Sequence, residues 1–465
     1  MASINNVKLK TKNVKLLKSK EIYSQKIKQE EMHMAKKTIS RREFLKGATV
    51  AAAGVAGFPY FVPSSALGRA GNVAASNRIV MGCIGVGSQG GGNMRGFLGK
   101  KEVQVVAVCD VDKGRRDGAK KTVDDRYKNN DCKAYLDFRE LLERGDIDAL
   151  SLGLPDQWHS IPAIMGARAG KDIYGEKPLA RTIREGRAIC DAIHRYGRVW
   201  QTGSWQRSQR DFHHACELVR NGRIGKVHKV EVGLPTGGST DNKPVQPVPE
   251  GLDWDFWLGP APWVPYRGVC HWDWRWMMDY SGGQLTDWAG HHVDIAHWGL
   301  GLDYTGPVEI EGKGVYPKDG IYDAPTEYKF TCKYDNGLTM IVANDRQQPK
   351  GMGTIWYGET GWIYVRRGRL EAEPKSLLDE QIGPNEIKLY ESRDHQGNFL
   401  DCVKSRQLTI TPVEIAHRSI SVGLLGEIAM LLGRKLKWNP EKEIFLNDEQ
   451  ANRMLSRPMR SPWHL

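Results

Sequence analysis

The stretch Arg78-Ile-Val-Met-Gly-Cys-Ile-Gly85-Val-Gly87-Ser88-Gln89-Gly90 is an apolar run that breaks into Gly-x-Gly-x-x-Gly, and it leaves little freedom in what the chain can fold into. The run reads as a buried strand, with Gly85 supplying the sharp turn at its end. Gly87 has no side chain to hold a pyrophosphate off the backbone. Gly90 lets the next helix pack close and aim its N-terminal amides at the phosphates. A second apolar run, Val103-Gln-Val-Val-Ala-Val-Cys-Asp110, ends in an acid twenty residues after Gly90. That is where a carboxylate accepting from a ribose hydroxyl belongs, so the pair reads as a dinucleotide-binding β-α-β unit with Ser88 and Gln89 at the phosphate turn. The absence of Gly-Lys-Ser/Thr after the glycines excludes a nucleotide-triphosphate loop. Asp110 favours NAD because a carboxylate repels a 2′-phosphate, while Lys113, Arg115 and Arg116 keep NADP open. Gly91 and Gly92 each cost about 1 kcal/mol against Ala inside a helix, so the helix is expected to begin a turn late.

The formal charge of +12 would suggest nucleic acid if it were spread over the molecule. Fourteen lysines and arginines against four acids place +10 of it in residues 1–70, so no nucleic-acid surface is expected beyond them. That leader runs from Ser40-Arg41-Arg42-Glu43-Phe44-Leu45-Lys46 through a short, glycine-rich apolar stretch to Ser64-Ser65-Ala66. A basic start, a short apolar middle and a small-residue site make a signal peptide, too short to span a membrane. The paired arginines fit the twin-arginine route, with its export machinery as a partner, a periplasmic or otherwise exported location and no stable membrane anchor. The Lys-rich tract 1–31 is not needed by such a signal, so translation is expected to start at Met32 or Met34. Eight cysteines without a Cys-x-x-Cys pair make neither a zinc framework nor a disulfide scaffold. Cys83 and Cys109 fall in predicted strands and should behave as small hydrophobes.

From Asp112, which can cap a helix through about Arg126, helices and strands alternate to Gly203. Strands are predicted at 147–152, 171–174 and 199–203, and helices at 158–169 and 183–196. This period implies parallel strands with crossover helices, a doubly wound α/β Rossmann domain over 77–204 whose crevice lies at the strands' carboxyl ends. The turn Gly153-Leu154-Pro155-Asp156 sits at such an end. Beyond 205 the pattern changes to a helix at 211–220 and strands at 226–233, 308–315, 326–334, 339–344 and 361–367. Asp335-Asn336-Gly337 supplies a hairpin turn. Residues 205–465 are therefore expected to form an α+β domain, a largely antiparallel sheet with helices on one face.

Three clusters carry candidate chemistry. Glu176-Lys177-Pro178 follows a predicted strand and so reaches the crevice, with Pro178 restricting Lys177 to an extended backbone. A lysine there is either a proton-transfer group or a solvated turn lysine. Asp287 and His291 are four apart and Asp294 three further, so on a helix the three share a face. A carboxylate holding one imidazole nitrogen leaves the other to take a proton from a hydroxyl; the alternative is a capped helix with a satisfied histidine. A metal site from His291, His292, Asp294 and His297 is disfavoured, because adjacent histidines face different ways on a helix. Finally, eight of fifteen tryptophans lie between Trp254 and Trp298. Interleaved with charges, they suit a sugar's C–H faces or an interface better than a core, and Trp205, Arg275, Trp276 and His292 become candidate substrate contacts.

Together these residues resemble the glucose–fructose oxidoreductase, inositol dehydrogenase and MocA (Gfo/Idh/MocA) family of dinucleotide-dependent oxidoreductases, over about 77 to 460. Glu176-Lys177-Pro178 is similar to the family's signature, whose lysine is catalytic and adjoins the cofactor. Asp287-x-x-x-His291 resembles its aspartate–histidine pair, with Ala289 where the family usually has Gly. Leu154-Pro155-Asp156-x-Trp158-His159 resembles the loop under the nicotinamide, which adds Leu154, Pro155, His159 and Glu176 to the cofactor contacts. The resemblance implies an NAD(P)-dependent oxidoreductase acting on a carbohydrate by hydride transfer, with Lys177, Asp287 and His291 catalytic, no metal, and a homo-oligomer. Its branch of NAD-dependent glycosidases also carries twin-arginine signals, but that branch's substrate-domain motif is not found here. A hydrolase or lyase that oxidises its sugar transiently, and a non-catalytic cofactor-binding protein, are the alternatives. An exported enzyme has no soluble dinucleotide pool, so the cofactor is expected to stay bound, helped by residues 71–77, and the chemistry to be redox-neutral.

Overall fold

The computed structural model describes residues 74, 77–268 and 270–465; the leader with its paired arginines, and most of 71–77, lie outside the described residues. Six strands form the first sheet: β1 (Ile79–Ile84), β2 (Val103–Cys109), β3 (Lys133–Tyr135), β4 (Ala149–Leu152), β5 (Asp172–Gly175) and β6 (Trp200–Thr202). All pair in parallel in the order β3-β2-β1-β4-β5-β6. The strand order reverses between β1 and β4, which opens a crevice beyond their carboxyl ends.

The connecting helices are α1 (Ser88–Leu98), α2 (Lys113–Tyr127), α3 (Phe138–Leu142), α4 (Ser160–Arg168) and α5 (Ile183–Arg195). The late start expected for α1 is wrong: Gly87 is its N-cap, and the Gly91 amide already donates to the Gly87 carbonyl at 2.6 Å. Burial of Met94, Phe97 and Leu98 contributes roughly 1.5–3 kcal/mol per side chain and outweighs the cost of two glycines. Helix α2 starts as its sequence implies, with the Asp112 carboxylate accepting from the Arg115 amide at 2.9 Å.

After α6 (Arg210–Arg220) comes β7 (Lys229–Leu234), and then the Pro- and Trp-rich stretch folds back on the first sheet. It forms the short helix α7 (Trp254–Leu258) and lies across the start of α2. There the Lys113 amide donates to the Gly251 carbonyl at 2.8 Å and the Asp253 amide to the Val111 carbonyl at 3.1 Å. Helix α8 (Gly283–Leu300) leads into β8 (Glu309–Val315), β9 (Glu327–Lys333), β10 (Thr339–Asn344), β11 (Gly353–Tyr357), β12 (Trp362–Arg366) and β13 (Arg369–Glu373). The chain ends with α9 (His395–Ser405), α10 (Val413–Leu432), β14 (Leu436–Asn439), β15 (Ile444–Phe445) and α11 (Glu449–Arg453).

The second sheet has nine strands in the order β13-β12-β11-β7-β10-β9-β8-β14-β15, antiparallel except for β7 beside β10. Along β9, Tyr328, Phe330 and Cys332 are buried while Glu327, Lys329 and Lys333 are exposed, the alternation of a sheet covered on one face. Helices α8 and α10 pack against each other and supply that cover. Among the described residues α10 is long and apolar enough to cross a membrane, yet its apolar window is 83% buried inside the fold. All eight cysteines are buried and unpaired.

Candidate active site

One end of the crevice is made of backbone. Gly85 adopts φ +73°, and a Cβ there would meet the Gly153 carbonyl. A Cβ on Gly90 would collide with the Gly85 carbonyl and crowd the Gly153 Cα, so β1, α1 and the end of β4 close on three glycines. Asp110 ties this turn together: its carboxylate accepts from the Val86 amide at 3.0 Å and from the Asp112 amide at 3.0 Å. Burial pushes its pKa up, opposed by those two amides and by Arg115. At Gly87 the space a side chain would fill is approached only by the movable Arg115 guanidinium. The cleft holds about 1050 Å³, its open mouth included, and Gly85, Gly87, Ser88, Gln89, Asp110, Leu154, Pro155, Glu176 and Lys177 all line it. A bare glycine turn at a helix N-terminus with a carboxylate twenty-odd residues on fits a dinucleotide.

The other end is made of side chains. Lys177, after β5, places Nζ 2.5 Å from Asp287 Oδ1 on the first turns of α8, with both side chains about 15% exposed. Burial alone would raise the Asp287 pKa, but Lys177, Arg275 and Arg367 outweigh it and hold the carboxyl below its usual range. Glu176 is fixed from behind: its Oε1 accepts from Gln89 Nε2 at 3.0 Å and from Asn93 Nδ2 at 2.9 Å, which locks the lysine loop to α1. His291 is 3% exposed, between the rings of Trp205 and Trp288, with no partner on Nδ1, and like His292 and His159 it is not among the residues that line the cleft. Burial, with Lys177 and Arg367 nearby, drives its pKa far down and keeps the imidazole neutral.

Several sequence expectations change here. Asp287 binds Lys177 and makes no hydrogen bond to His291, so the carboxylate orients the lysine and not the imidazole. Asp294 leaves the crevice for a buried ion pair with Arg207, at 2.7 and 2.8 Å, which Asp303 shares at 2.7 Å. His292 is fully buried, stacked on Trp288 beside Phe212, and lines no part of the cleft. His297 meets the Tyr334 hydroxyl at 2.7 Å, so the four residues weighed for a metal point four ways. His159 is buried with its ring nitrogens 2.6 and 2.8 Å from the Pro178 and Leu154 carbonyls; it positions both loops and does not face the cleft.

The tryptophans divide. Trp254 and Trp257 stack at 4.8 Å and form a core with Trp274 and Tyr280, against the expectation of a substrate or interface patch. Trp257, Trp274 and Arg275 do wall the cleft, whereas Trp276 stacks on Tyr322 outside it. The sequence reading missed Arg367, which reaches from the β12–β13 turn to the rings of Trp205 and Trp288, at 4.2 and 4.7 Å. His271, expected beside a sugar as a polar neighbour of the tryptophans, instead meets Asp112 at 3.1 Å and lines the cleft near the glycine end. The run Arg366-Arg367-Gly368-Arg369, three cations on a two-residue hairpin, was the available signal for Arg367.

Residues 79–204 match the family model described as oxidoreductase family, NAD-binding Rossmann fold, and residues 203–465 match its C-terminal alpha/beta domain. Among curated proteins, an alpha-N-acetylgalactosaminidase of Shewanella oneidensis is 33% identical over 175 residues, 34% of this chain and 37% of that protein. The match thus spans little more than a third of that relative. The uncharacterized oxidoreductase YrbE of Bacillus subtilis is 24% identical over 279 residues, 59% of this chain and 70% of that one. Among solved structures, a levoglucosan dehydrogenase in complex with NADH and L-sorbose shares the fold, with TM-score 0.57 and 18% identity, over 78% of this chain and 99% of that one.

Proposed function

Because the chain belongs to the Gfo/Idh/MocA oxidoreductase family and carries its NAD-binding Rossmann domain, we propose that it oxidises a hydroxyl-bearing carbon of a sugar and works outside the cytoplasm. The observation that carries this reading is the Lys177–Asp287 ion pair, 2.5 Å long and mostly buried, at the far end of a cleft whose near end is the glycine turn. NAD, when bound, supplies the hydride acceptor. Lys177, held in line by Asp287, donates a hydrogen bond to the reacting oxygen and stabilises its developing negative charge. His291, kept neutral by its surroundings, offers an acceptor for the hydroxyl proton. Glu176 holds the loop, and Trp257 and Trp274 keep water off one wall.

The proposal includes twin-arginine export, on the strength of Arg41-Arg42, and self-association, on the family resemblance. It also includes a cofactor that stays with the protein, supported by the 251–274 segment lying across α2 beside Asp110. Asp110 selects NAD over NADP. The deciding experiment titrates the purified protein with a panel of sugars while following nicotinamide absorbance and the identity of extracted cofactor. Reduction of bound NAD by a sugar supports the reading; an inert cofactor, or extraction of NADP, overturns the corresponding part. The similarity to an alpha-N-acetylgalactosaminidase favours a second reading, glycoside cleavage through transient oxidation. Release of an aglycone without net oxidation distinguishes it.

A further inference from the structure

Arg367 is a site cation whose position no reading of the chemistry above requires. It leaves the tight β12–β13 turn, where Arg366 and Arg369 stay exposed, and folds inward to half-burial. Its guanidinium carbon lies 4.2 Å from the Trp205 ring centroid and 4.7 Å from that of Trp288, the two indoles that also flank His291. Its sole side-chain hydrogen bond is a long one, 3.4 Å from Nη2 to the neutral Gln206 amide oxygen, and Nε is buried without a partner. Among the described residues no carboxylate lies within ion-pair distance of it.

A guanidinium taken partly out of water, pressed on aromatic faces and sharing only the more distant Asp287, already paired with Lys177, is costly unless something else supplies a direct counter-charge. Arg275 is placed similarly, over the rings of Trp272 and Trp274 at 4.1 and 4.4 Å, with no carboxylate within ion-pair distance among the described residues. This end of the site therefore gathers Lys177, Arg275 and Arg367 around Asp287, while Glu176 is engaged by amides. Stacking leaves the flat edge of Arg367 as the free donor surface, which matches a planar two-oxygen acceptor. The two indoles hold the guanidinium in place, with His292 stacked on Trp288.

We propose that Arg367, with Trp205 and Trp288, forms a subsite for a carboxylate carried on the sugar, so that the substrate is a sugar acid such as a hexuronate. The proposal rests on the reading of the cleft as a sugar oxidoreductase site and names its substrate class. It also accounts for the environment of His291: a carboxylate beside Arg367 cancels one of the charges that hold the imidazole neutral and makes it a better proton acceptor at the moment substrate is present.

The test is equilibrium binding, by tryptophan fluorescence and calorimetry, of D-glucuronate and D-galacturonate against D-glucose and D-galactose, on the cofactor-loaded protein and on Arg367→Gln and Arg367→Lys. The expected result is that at least one acid binds about tenfold or more tightly than its neutral partner. Arg367→Gln removes that preference, and Arg367→Lys, with charge but no fork, restores only part of it. Cofactor content and thermal midpoint of both variants confirm intact folding. Equal binding of acid and neutral sugar, no binding of either acid, or a preference that survives Arg367→Gln overturns the subsite. Reduction of bound NAD by a neutral sugar alone would do the same while leaving the oxidoreductase reading standing.

Discussion

The two ends of the cleft are built on different plans. The glycine end comes chiefly from one stretch, Gly85 to Arg115, closed by Gly153 after β4, and presents main-chain atoms whose positions follow from close packing of β1, α1 and β4. The lysine end is assembled from the loop after β5, the start of α8, the 251–274 segment and the β12–β13 turn, and presents ionised side chains held by one another. A site of the first kind binds through main-chain geometry that fails only where a glycine gains a side chain, whereas one of the second depends on charges cancelling across parts of the chain far apart in sequence.

Substitutions at the two ends should therefore fail differently. Lys177→Ala is expected to lower kcat on the order of 10² to 10⁴-fold with cofactor retained. Gly87→Val is expected to lose the cofactor from gel-filtered protein while the fold survives, because its side chain meets only the mobile Arg115 end. Retention of cofactor in Gly87→Val, or its loss in Lys177→Ala, would erase the contrast. The support of the lysine end is tested by Asp294→Ala, which leaves Arg207 buried with Asp303 alone and should cost about 3 kcal/mol in denaturant unfolding.

Acid acts outside both ends and more gently. His292 is pulled down to about 3, and His297 and His395 to about 4, mainly by burial. Each stays neutral when folded and takes a proton on unfolding below about 6.5, so their contribution is complete above that pH and is lost as pH falls towards 4. The thermal midpoint should drop over this window, and His297→Gln should flatten the fall. The smallest effect expected is at the glycine end: Asp112→Ala removes the α2 cap and the His271 contact for about 1 kcal/mol, and speeds cofactor release. A stopped-flow measurement of that release rate checks it.

The same contrast governs what the sequence disclosed. Glycine spacing, the Asp110 offset and the Asp112 cap are local rules, and the structure obeys them. The Lys177 and Asp287 positions came from motifs, but their pairing across 110 residues has no local signature. For the same reason Asp294 was grouped with Asp287 and His291: helical spacing gives a common face, while tertiary packing turns Asp287 to Lys177 and Asp294 to Arg207. The start of α1 was misjudged because propensity was weighed without the core that overrides it. The tryptophans misled in part: Trp254, Trp257 and Trp274 share a core of their own, while Trp263 and Trp272 stay exposed and Trp257 and Trp274 also wall the cleft.

Residues 395–411 bear on how far the parts of this enzyme can be exchanged. Phe399 packs edge-on against Phe97 and Tyr174, the Thr202 amide donates to the Thr411 carbonyl at 3.0 Å, and Arg406 neutralises Asp172 at the start of β5. A fragment ending near 204 would present those aromatic rings and an uncompensated carboxylate to solvent, and it should precipitate. The nucleotide-binding half is thus not a cassette that can be cut at its last strand. A chimera that borrows it from a relative must carry the distant α9 segment with it to keep their shared seam.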